Sequence, residues 1–141
     1  MTDETIPGVD VADFPEPGYK PVLRSAGDWM VAVMNGWDDS WSLPDRIEKH
    51  PATDELFVLV AGRALMVSAG DGESPGPLRQ DEMQLNVPYL VRAGIWHATP
   101  MTTDARFIIV ERTGTEKEDG SVLVDLTSEQ VAGLSLPEPR T

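Results

Sequence analysis

Glycine and proline cut this chain into short pieces, and that punctuation limits its fold more than any other feature. Twelve of each are spread over 141 residues. Between them lie short apolar runs at intervals of roughly ten residues, the pattern of an all-β sandwich or barrel. Strands are predicted over 28–34 (DWMVAVM), 46–50, 55–60, 63–68, 82–87, 89–92, 105–112 and 121–126. Residues 1–21 hold Pro7, Pro15, Pro17 and Pro21, which excludes a helix and predicts an extended arm on the surface. The one predicted helix is 128–134. Thr127 and Gln130 have capping-box spacing before it, and Gly133 is its terminator. The tail, 135–141, is expected to be loose. No internal repeat or linker divides the chain, so 1–141 reads as one domain.

Eleven basic residues against twenty-four acidic ones give a net charge of −13. That charge repels phosphate backbones and anionic bilayers, so neither nucleic acid nor a membrane surface is expected as a partner. There is no cysteine, which removes disulfides, thiolate metal sites and cysteine nucleophiles. The opening MTDETIPGVD has no basic or apolar segment of a signal peptide. No apolar run approaches the ~20 residues of a membrane span. A cytoplasmic protein is the expectation.

The chain has two histidines, His50 and His97. Residues two apart in a strand share a face, so Glu48 points the same way as His50. Glu55 opens the next predicted strand after the turn 51–54 and can reach the same side. If these four converge, they offer two imidazoles and two carboxylates. Two carboxylates in one partly dry site repel, and a divalent cation relieves that repulsion while fixing both histidines as neutral ligands. If Glu48 turns away, toward an ion pair with Arg46 or Lys49, the remaining His50, Glu55 and His97 form a two-histidine, one-carboxylate facial set. Asp54 is expected to face outward or cap the turn. Trp37 and Trp41, in the loop 36–44, read either as a lid over the core edge or as the wall of a ligand pocket. Arg92, Trp96, Tyr89 and Met101 are the candidates for lining such a pocket. Arg92 is either a partner for a substrate carboxylate or a solvated strand-end charge, and Trp96 is expected to pack first and touch ligand second.

The spacing His50-(four)-Glu55-(six)-Gly62, followed by Gly94-(two)-His97, resembles the two short motifs of the cupin superfamily. The resemblance covers about residues 31–112. It departs from the usual pattern at Glu48, where the first motif has a histidine, and at Asn86, Arg92 and Met101. It implies a double-stranded β-helix, the cupin or jelly-roll barrel, with its pocket at one mouth and homodimers through sheet packing. It also implies a divalent metal ion (Zn, Mn, Ni or Fe) on His50, Glu55 and His97, with Glu48 as a fourth candidate. The function expected on that basis is a metal-dependent lyase or isomerase acting on a small oxygenated metabolite, such as a sugar acid or keto acid, through a metal-stabilised enediolate. The alternatives are an Fe(II) dioxygenase and a non-catalytic module that binds a small ligand.

Overall fold

The computed structural model describes residues 6–113 and 121–138. Among the described residues, ten strands form two antiparallel sheets. The strands are β1 Gly18–Arg24, β2 Trp29–Asn35, β3 Arg46–Lys49, β4 Glu55–Ala61, β5 Leu65–Ser68, β6 Arg79–Glu82, β7 Pro88–Val91, β8 His97–Ala98, β9 Arg106–Arg112 and β10 Val122–Asp125. One sheet has the order β1-β2-β9-β4-β7 and the other β10-β3-β8-β5-β6. From β3 onward the chain passes repeatedly from one sheet to the other, which stacks them face to face.

Alternation explains which side chains meet between the sheets. Phe57 and Leu59 on β4 face inward, as do Phe107 and Ile109 on β9. The Phe57 and Phe107 rings meet edge to face with centroids 5.8 Å apart, the arrangement aromatic quadrupoles favour. Met66 of the second sheet packs against this core, whereas Ile47 and Trp96, and Leu65 and Val67, belong to separate clusters on that sheet's other face. On the outer side of the first sheet, Val31, Val110, Leu56 and Leu90 line up in one row across β2, β9, β4 and β7.

The turn after β4 depends on Gly62. Its φ is +73°, and a Cβ there would lie 2.5 Å from Ala105 Cα. Only glycine fits a backbone that is both left-handed and this close to another.

Several boundaries differ from expectation. The strand β1 lies partly inside the segment predicted as an arm. Proline is tolerated there because β1 is an edge strand, and its ladder with β2 slips between Pro21 and Leu23. The strand expected over 82–87 sits earlier, at Arg79–Glu82, because Asn86 turns left-handed at φ 64° and donates its N–H to the Leu59 carbonyl. The helix α1, Ser128–Val131, is one turn long and carries the predicted capping box between Thr127 and Gln130. After it, Ser135 exchanges two hydrogen bonds with Gln80, and the Glu138 carbonyl accepts one from Arg63. The tail expected to be loose is thus tied down as far as Glu138. Residues 114–120 and 139–141 lie outside the described residues.

Candidate metal centre

Strands of both sheets bring the four candidate ligands to one place. Glu48 on β3 is the direct cross-strand partner of His97 on β8. His50 follows β3, and its carbonyl accepts the Gly94 N–H at 2.9 Å. Asp54 caps the neighbouring loop, its Oδ1 accepting the Ala93 N–H at 2.7 Å. These two bonds tie the His50 turn to the loop that leads into His97. Glu55, the first residue of β4, enters from the opposite sheet.

The imidazoles are oriented from behind. His97 Nδ1 lies 3.0 Å from the Ile95 carbonyl; a carbonyl only accepts, so Nδ1 carries the hydrogen and Nε2 faces inward. His50 Nδ1 lies 2.8 Å from Ser121 Oγ. Both Nε2 atoms then converge on Glu55 Oε1, His97 at 3.2 Å and His50 at 3.4 Å. Glu48 Oε1 is 3.9 Å from His50 Nε2, with 46% of its side chain exposed. One ligand atom each from Glu48, His50 and His97 fall within 4.8 Å of one another.

This donor set fits a divalent ion. With Nδ1 carrying the hydrogen toward Ile95, His97 Nε2 and the Glu55 oxygen 3.2 Å away are held together by a cation or a proton between them. Imidazoles already fixed through their other nitrogen are the usual form of metal-binding histidine. Two imidazoles with carboxylates suit first-row divalent ions.

A second buried carboxylate adjoins the first. Glu111 on β9 stands directly across from Glu55 on β4, and both are buried. The Tyr19 hydroxyl donates to Glu111 Oε1. Burial, and then the charge of Glu55, push the Glu111 carboxyl up to about 8. Burial also opposes ionisation of Glu55. Hydrogen bonds with His50 and His97, the charge of His97 and a hydrogen bond with Glu111 outweigh it, and hold Glu55 at about 2.

Several solved structures are similar to this one in fold. Peruvianin-I, a cysteine peptidase from Thevetia peruviana latex, is similar at a TM-score of 0.50 and 13% identity, over 82% of this chain and 72% of its own. A cupin-2 domain containing protein from Shewanella frigidimarina gives a TM-score of 0.47 and 16% identity, over 69% and 82%. KdgF from Halomonas sp. gives 0.47 and 12%, over 79% and 84%. Each of these likenesses is one of fold: two stacked antiparallel sheets with almost no helix. No protein-family model matches the chain, and the comparison with curated proteins gives no match.

A cavity of about 800 Å³ has the four candidate ligands in its wall. Met101 lines it, as do Phe57 and Ile109. The other three candidate lining residues lie elsewhere. Arg92 is exposed just past the end of β7, outside the cavity. Tyr89 packs against the core, and its hydroxyl accepts the Gln84 N–H. Trp96 is fully buried; its Nε1 donates to the Gly72 carbonyl, and the Lys49 ammonium lies 4.7 Å above its ring. Trp96 is next to His97, and neighbouring side chains in an extended chain take opposite faces. The two loop tryptophans divide the roles proposed for them: Trp37 lines the cavity, whereas Trp41 packs on the core around Leu65, Val67 and Leu134.

Sequence reasoning missed Glu111 and Tyr19. Alternation could have found the first, because Glu111 continues the inward series Phe107, Ile109. Tyr19 lay in a stretch whose prolines concealed a strand.

Proposed function

We propose that this chain is a cupin and a divalent-metal enzyme of the lyase or isomerase type, acting on a small oxygenated metabolite. The observation that carries the reading is the convergence of two imidazole Nε2 atoms on one Glu55 oxygen, 3.2 and 3.4 Å away, in the wall of an 800 Å³ cavity. His50, Glu55 and His97 would hold the ion, with Glu48 as the fourth ligand. The ion would supply Lewis acidity, stabilising negative charge that develops on substrate oxygens.

The remaining chemistry belongs to the chain. Trp37 and Leu43 wall the cavity with Met101, Phe57 and Ile109, which keeps water from much of a bound ligand. The Tyr19 hydroxyl reaches the same space and can hold a proton at Oη. Arg46, not Arg92, is the guanidinium at the cavity wall, and it takes over the role of partner to a substrate carboxylate. The peptidase activity named for Peruvianin-I has no cysteine nucleophile here.

The same reading takes the chain as one cytoplasmic domain, and as a homodimer formed through the apolar outer row of Val31, Val110, Leu56 and Leu90. Among the described residues no helix is long and apolar enough to cross a membrane.

Elemental mass spectrometry of tag-free protein tests the metal directly. The expected result is near one equivalent of a divalent metal in the unaltered protein, lost in a His50→Ala/His97→Ala double variant. No metal in either protein, even after reconstitution with Zn²⁺, Mn²⁺, Ni²⁺ and Fe²⁺, would leave a ligand-binding barrel in place of a metal enzyme.

A further inference from the structure

Glu111 stands outside the proposed ligand set, yet it is buried directly against it. Its Cα is paired with that of Glu55 across β4 and β9, and both side chains line the cavity. Like charges placed opposite one another in a sheet repel, so this pairing does nothing for the sheet itself. Tyr19 reaches Glu111 from β1, three strands away from β4 in the sheet order. The fold does not need that contact, because β1 is already held by its ladder with β2. A buried acid costs stability, so its presence calls for a role at the site.

We infer that Glu111, held by the Tyr19 hydroxyl, is a positioning residue for Glu55. Standing directly across the ladder from Glu55 and lining the same cavity, it would fix the orientation in which Oε1 meets both imidazoles. This rests on the reading of His50, Glu55 and His97 as metal ligands. It assigns Glu111 the part that the Ile95 carbonyl plays for His97: a group that aims a ligand without touching the ion. Loss of such a group typically lowers metal affinity about 10–100-fold.

The test is calorimetric titration of chelator-stripped protein with Co²⁺, with the visible Co²⁺ spectrum and the urea midpoint of each apoprotein recorded alongside. Glu111→Leu should bind Co²⁺ about 10–100-fold more weakly, with an altered spectrum, while its apoprotein is at least as stable as the unaltered one. Glu111→Gln keeps an N–H for Glu55 and an oxygen for Tyr19, and should restore affinity and spectrum nearly to the starting values. Tyr19→Phe should fall between the two. It removes one oxygen from a partly exposed ring, so it keeps the test decisive if the leucine variant fails to fold. Unchanged Co²⁺ affinity in Glu111→Leu or in Tyr19→Phe overturns the inference. So does a glutamine variant as weak as the leucine one, since that would make the carboxylate itself a ligand. If the unaltered protein takes up no Co²⁺, the metal reading fails, and this inference falls with it.

Discussion

Glu48 and His97 face each other directly across the β3–β8 ladder, so the residue standing where cupins usually carry a first-motif histidine still points at the site. The position offers a carboxylate where the motif it resembles has an imidazole. Being nearly half exposed, Glu48 should contribute less than the buried ligands. Glu48→Gln is expected to weaken metal binding about tenfold, equivalent to about 1.4 kcal/mol, and His97→Ala to abolish it. A competition titration against a chromophoric chelator measures both.

The metal-free protein should lose stability as pH rises from about 4.5 to about 8. Glu111 keeps its proton in the folded state up to about 8, whereas its ordinary value is 4.5. Over that interval the unfolded chain binds fewer protons, so alkaline conditions favour unfolding. Glu55 behaves in the opposite sense. Held at about 2, it contributes stability above its ordinary value and loses it as pH falls toward 2. Urea midpoints in the presence of a chelator should therefore fall from pH 5 to pH 8, and Glu111→Gln should flatten that slope. An unchanged slope in the variant would rule Glu111 out as its source.

Gly62→Ala should cost more than about 2 kcal/mol, combining a left-handed backbone with overpacking. The Cβ would meet Ala105 Cα and N, backbone atoms that cannot swing aside. Urea denaturation gives the number, and a loss under 1 kcal/mol would show that the turn relaxes.

Leu90→Lys should give a monomer. Leu90 is exposed at the end of the apolar row on the outer sheet face, and a sheet that is apolar on both sides needs a cover on each. Sedimentation velocity should show dimer for the unaltered chain and monomer for the variant. A monomer in both cases would remove the proposed interface.

The strands at the centre of the first sheet were legible because they alternate. Residues 55–60 and 105–112 give their inward residues by period two, and the observed β4 and β9 follow within a residue or so. The capping box at Thr127 is a local motif with local physics, so it too could be read in advance. What escaped depends on pairing. Whether Pro21 ends an arm or sits in an edge strand depends on the neighbour that β1 finds. Whether Asn86 continues a strand or turns depends on the Leu59 carbonyl waiting for its N–H. At the site, spacing singles out four residues that the two sheets bring together, while Arg92, Tyr89 and Trp96, though close to His97 in sequence, lie outside the cavity wall. Tyr19 and Glu111, 92 positions apart, meet only because β1, β2 and β9 lie side by side.

Glu55 comes from one sheet, and Glu48, His50 and His97 from the other sheet and its loops. An ion held by all four would act as a rivet through the two layers at the open end of the barrel. The empty protein could part at that end while its far core stayed closed. A protease would then cut the empty protein near the His50 turn and spare the loaded one, turning limited digestion into a gauge of how much of a sample carries its ion.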